Sequence, residues 1–131
     1  MTLITEEAVD TLEHEATSRD IREIARYLQA ELGQRMAAHL AGLSDAKQVG
    51  RYTRDDGPTP SERVERRLRE GYKIVRIIAA AYDAKTAKAW LFGTNTRLDD
   101  DAPIERLGVA ASTEEFVAVK RAARQFANFE G

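Results

Sequence analysis

The chain has 131 residues, enough for one ordinary domain or two very small ones. Hydrophobic residues are 43% and charged residues 32%, the composition of a globular protein with a heavily charged surface. The net charge is only −2, and the absence of cysteine excludes a disulfide scaffold, a thiolate zinc site and a cysteine nucleophile.

Taken in chain order, the sequence reads as all-α, with no sustained period-two alternation. The first dozen residues, with Glu6, Glu7, Asp10 and Glu13, read as a frayed helix or a flexible acidic tail, and a boundary falls after residue 16. Thr17 or Ser18 is the expected cap of the next helix, with Asp20 in its first turn. Ile21, Ile24, Ala25, Leu28 and Leu32 recur at helical spacing, and Gly33 ends or bends that helix. Gln34 to Ala41 read as a short helix with Met36, Ala37 and Leu40 on its apolar face. Gly42 supplies a sharp turn, and Ser44 is the expected cap of a helix from Asp45 to about Thr53. TRDDGPTP, ending at Pro60, carries loop signals throughout.

Thr59 or Ser61 starts the longest helix, which reaches about Ala81. Val64, Leu68, Tyr72, Val75 and Ile78 form its seam, while Arg63, Arg66, Arg67 and Arg69 are assigned to its outer surface. A break at Asp83 leads into a short helix through Ala87, Trp90 and Leu91. Residues 93–103 read as a loop in which Asp99, Asp100 and Asp101 are expected to solvate the turn and cap the helix at Pro103. Ser112 and Glu115 form a capping-box pattern, and Phe116, Val119, Ala123 and Phe126 give the last helix its apolar stripe. The pattern divides the chain at 17–81 and 82–131, two small halves expected to share a core or lean on a partner.

The near-neutral charge conceals three blocks. Residues 1–33 carry three Lys/Arg against eight Asp/Glu, residues 34–76 ten against six, and residues 77–131 seven against eight. The basic middle block invites an anionic partner. Two short helices joined at Gly42, with Val49 and Tyr52 inward and Lys47, Gln48 and Arg51 outward, have the spacing of a helix-turn-helix, and Arg54 extends the basic face. A charged helical hairpin with no ligand has the same pattern.

His14 and His39 are too few for a histidine-built metal site, and the aspartate run lacks the alternation of an EF-hand. No nucleophile–base set and no phosphate-binding glycine loop is visible, so neither enzyme activity, metal nor cofactor is expected. No apolar run reaches the roughly 20 residues that span a bilayer. The acidic start lacks a signal-peptide core, so the cytoplasm is the expected compartment.

Ala87-x-x-Trp90-Leu91-Phe92-x-x-Asn95-x-x-Leu98, followed by Pro103-Ile104-Glu105-x-Leu107, resembles the C-terminal toxin-binding domain of the MbcA/ParS/Xre antitoxins. Ala38-His39-Leu40-Ala41-Gly42 and Tyr52 resemble that family's Xre-like helix-turn-helix half. The resemblance covers about residues 20–128. It implies an antitoxin of a type II module that covers the active site of a RES-domain toxin, which depletes NAD, and often represses its own operon. It implies toxin contacts at Trp90, Asn95, Arg121, Arg124, Gln125, Asn128 and Phe129, and operator-DNA contacts at Ser44, Lys47, Gln48, Arg51 and Arg54. A homodimer or larger toxin–antitoxin complex is expected. The alternative is a plain helix-turn-helix transcriptional regulator without a toxin partner.

Overall fold

Residues 4–108 and 111–128 are described by a computed structural model, in which every regular element is helical, as the periodicity predicts. The order is α1 (Glu6–Ser18), α2 (Ile21–Leu32), α3 (Gln34–Ala41), α4 (Lys47–Tyr52), α5 (Glu62–Ala81), α6 (Ala84–Phe92), α7 (Pro103–Arg106) and α8 (Thr113–Ala127). A 3-10 turn, Thr96–Leu98, lies between α6 and α7.

α5 is the central strut. Ser61 caps it, its hydroxyl accepting from the Val64 amide at 3.3 Å. The predicted seam, Val64, Leu68, Tyr72, Val75 and Ile78, is buried, and Ile74 and Ile77 bury a second stripe. α1, α2, α3, α6 and α8 all pack on this one helix. One contiguous core joins Ile24 and Leu28 of α2, Leu40 of α3, Leu91 of α6, Leu107 and Phe116. Both halves of the sequence therefore contribute to it. Gly71 permits the closest approach: a Cβ there would stand 1.9 Å from Leu40 Cδ2, so only a residue without a side chain lets α3 reach α5.

Five expectations change. The acidic N-terminal stretch is a packed helix, α1, whose Val9, Leu12 and Ala16 are buried. Glu6 and Glu7 are exposed, and Glu13 and Glu15 sit half-buried at the edge of the packing, where Glu13 binds Lys120 and Glu15 binds Arg19, each at 2.8 Å. Thr17 and Ser18 end α1, bonding back to the Glu13 and His14 carbonyls, and Asp20 caps α2 in their place. Ser44 makes no cap; the Asp45 carboxylate takes the Lys47 amide at 2.9 Å, and the helix begins at Lys47 rather than Asp45. Asp99 and Asp101 do not cap α7. They bind Arg106 at 3.3 and 2.8 Å, while the Glu105 carboxylate accepts from the Ala102 amide.

The fifth change is Arg67, assigned to the outer surface and found 5% exposed. Its guanidinium donates to the carbonyls of Leu40 (3.0 Å), Leu107 (2.9 Å), Gly108 (2.7 Å) and Ala111 (3.2 Å). It also lies over the Phe116 ring at 5.0 Å. Among the described residues no carboxylate pairs with it; carbonyl dipoles carry the charge, and burial pulls the guanidinium below its ordinary pKa. Arg67 thus ties the end of α3 to the segment between α7 and α8. His39 reinforces the tie by donating from Nε2 to the Ile104 carbonyl at 2.9 Å.

Candidate protein-binding face

The seven positions the resemblance marks for toxin contact are spread over residues 90–129, and the fold gathers six of them along α8. Trp90 and Phe126 stack at 6.1 Å between ring centroids, and Tyr82 joins Phe126 at 5.1 Å. Beside these rings, Trp90, Asn95, Arg97, Ala122 and Gln125 line a cleft of about 350 Å³. Arg97 and Gln125 also belong to a neighbouring cleft of about 660 Å³, with Val117, Lys120, Arg121, Arg124 and Asn128. The two therefore adjoin. Phe129 lies outside the described residues.

Their environments differ. Arg121, Gln125 and Asn128 are exposed on α8. Arg124 is partly engaged, meeting Glu6 of α1 at 2.7 Å. Asn95 is engaged within its own loop, where its side-chain oxygen accepts from the Arg97 amide at 3.0 Å and caps the 3-10 turn. The larger cleft carries four cations and no carboxylate among its lining residues. Sequence reasoning missed Val117, Lys120 and Arg97 here. A signal existed for Val117 and Lys120, which share a helical face with Arg121 and Arg124, but three- and four-residue spacing draws the eye to the buried stripe first.

The α3–α4 hairpin holds the positions marked for DNA. Gly42 turns the chain in the left-handed region at φ 78°, and Val49 and Tyr52 of α4 are buried as expected. Ser44, Lys47, Arg51 and Arg54 are exposed. Gln48 is half-buried and already engaged: it donates to the Tyr52 hydroxyl at 3.2 Å and accepts from Arg51 at 2.7 Å. The following loop is held from behind by α2. Arg22 donates to the carbonyls of Tyr52, Arg54 and Gly57, and Arg26 to the Thr53 carbonyl and the Asp55 carboxylate. Asp45 and Asp56 are exposed on the same hairpin and loop.

Among the described residues, no group of three His, Asp or Glu side chains gathers as a metal site, and no helix is long and apolar enough to cross a membrane. No protein family, curated protein or solved structure matches the chain.

Proposed function

We propose that this protein is the antitoxin of a type II toxin–antitoxin module and acts by binding, with no catalysis of its own. In this reading the α8 face, with Trp90 and Asn95 at its edge, covers the active site of a RES-domain, NAD-depleting toxin in the cytoplasm. One observation carries the proposal. Six residues marked by the resemblance line two adjoining clefts, although they come from α6, the 3-10 region and α8. A concave, mixed aromatic and cationic surface of this kind suits a protein partner, where Trp and Arg supply most binding energy.

The test is co-expression with the toxin encoded in the adjacent reading frame. The native chain restores growth; Trp90→Ala with Gln125→Ala loses that protection while its circular dichroism stays native. Protection retained by the double variant would refute the face. Absence of any protection by the native chain would refute the antitoxin reading.

The second reading, operon repression or plain transcriptional regulation, is favoured by the α3–Gly42–α4 hairpin with Lys47 and Arg51 exposed. A homodimer would present two such hairpins to paired half-sites. Lys47→Ala with Arg51→Ala is expected to abolish retardation of promoter DNA; unchanged retardation excludes this hairpin as the reader.

A further inference from the structure

A third cleft, of about 500 Å³, runs between α5 and α8. Arg63 and Arg66 line one side and Lys120 the other, with Val117 and Phe116 between them. Val117 and Lys120 also line the 660 Å³ cleft, so the two form one cationic band that continues to Arg97 and Arg121. Glu70 is the only carboxylate among the lining residues, and Lys73 binds it at 2.9 Å. Arg66, Arg97 and Arg121 make no ion pair among the described residues. Val117, in the middle of the band, is 44% exposed, one of three large apolar side chains left open to water among the described residues.

The chain itself shows what such a surface accepts. α1 is an acidic amphipathic helix that places Glu13 on Lys120 and Glu6 on Arg124, at 2.8 and 2.7 Å. Its apolar Val9 and Leu12 pack with Ile77, Ala81 and Ala127. Two cations of the band therefore already bind carboxylates from a helix, and three more wait beside an apolar patch.

We propose that the joined α5–α8 clefts take an acidic, amphipathic segment of the partner protein, its carboxylates meeting Arg66, Arg97 and Arg121 and an apolar side chain resting on Val117. The inference rests on α8 being a partner-facing helix, as proposed above, and adds the chemistry of what it faces. A nucleic-acid backbone fits less well. A run of phosphates would pass the Glu6 and Glu13 carboxylates at the border of the band, and it has nothing to place on Val117.

The probe is a fluorescent helical peptide of about 18 residues, five turns, with Glu along one face and Leu along the other. Its counterpart has every Glu replaced by Gln, and single-stranded and duplex DNA of about 20 nucleotides provide the polyanion control. The full chain binds the Glu peptide, more weakly as salt rises, and binds the Gln peptide at least tenfold less, about the range that complementary charge supplies. Arg66→Gln with Arg121→Gln, both exposed and outside the core, cuts affinity about tenfold, and Val117→Asp does the same. Absence of binding to the Glu peptide, equal binding of the Gln peptide, or indifference to the arginine pair overturns the inference. Tighter binding of DNA through the same arginines also overturns it, in favour of a nucleic acid. Growth protection by the native chain is read separately, so a failed antitoxin reading and a failed acidic-partner inference give different results.

Discussion

Replacing Arg67 with Met keeps most of the side-chain volume on α5 but removes every donor. Four carbonyls lose a charged partner, and the bonds to Leu40 and Leu107 are fully buried. A bond to a charged group contributes about 1.5–3 kcal/mol, and an orphaned buried carbonyl costs about 1–3 kcal/mol. Counting only the two buried bonds gives about 3–6 kcal/mol. Relief from burying a guanidinium returns part of this, because a desolvated charge itself costs several kcal/mol. The net expectation is a loss of about 3 kcal/mol, or roughly 10 °C in melting temperature for a domain of this size. Arg67→Lys keeps the charge but loses the planar fork, and it falls between the two. Arg66→Met, one residue away and exposed, stays within about 0.5 kcal/mol of the native chain. The assay is thermal and urea unfolding of the three variants followed by circular dichroism. If Arg67→Met melts within about 2 °C of Arg66→Met, water serves those carbonyls and the argument for Arg67 as the tie between α3 and α8 is wrong.

Three further outcomes are expected. Gly71→Ala puts a methyl into Leu40 and loses about 1–3 kcal/mol to overpacking despite a better helix former, whereas Gly33→Ala, with open space around it, loses about 1–3 kcal/mol to backbone strain alone, because φ of 85° with ψ of 158° is a conformation nearly confined to glycine; unfolding midpoints of the pair, with Leu40→Ala added to relieve the Gly71→Ala clash, separate packing from backbone strain. Leu12→Ala lowers stability by about 2–3 kcal/mol because α1 is packed; a change under about 0.5 kcal/mol would mean that α1 is loosely attached. Acid weakens the fold: the bond from Lys120 holds the Glu13 carboxyl below its usual value of 4.5, and the Tyr72 hydroxyl bond, with Arg76 and Arg19 nearby, does the same for Glu15. A folded pKa below the unfolded one gives stability that is present above 4.5 and lost as pH falls through the folded value. Urea midpoints measured from about pH 6 to about pH 3 fall, and the fall is shallower in Glu13→Gln with Glu15→Gln.

The helical class was legible because apolar spacing marks a buried stripe directly: Ile24, Leu28, Leu68 and Val119 fall where the periodicity puts them. Arg67 was not, because its type pointed outward while its position pointed inward. It lies three residues after Val64 and four before Gly71, on the buried face, and only the carbonyls gathered at the end of α3 and before α8 make that place tolerable. α1 failed in the opposite way. Val9, Leu12 and Ala16 hold a helical spacing, but the carboxylates around them gave the composition of a tail. Their partners, Lys120 and Arg124, are far along the chain. The cleft along α8 was half legible: its residues were marked by a motif, whereas their convergence with Arg97 and Val117 is a property of packing.

The link between the first and last helices also has a consequence in time. Lys120 and Arg124 follow the glutamates they bind by 107 and 118 residues. At a synthesis rate of about 5–20 residues per second, α1 waits roughly 5–20 seconds for its counter-charges to be made. α5 and α3 can pack in that interval, but the cationic band does not yet exist. The nascent chain is thus unable to meet a partner through this surface until the last helix has left the ribosome. Any truncation before Lys120 leaves Glu6 and Glu13 without their partners as well as a missing face.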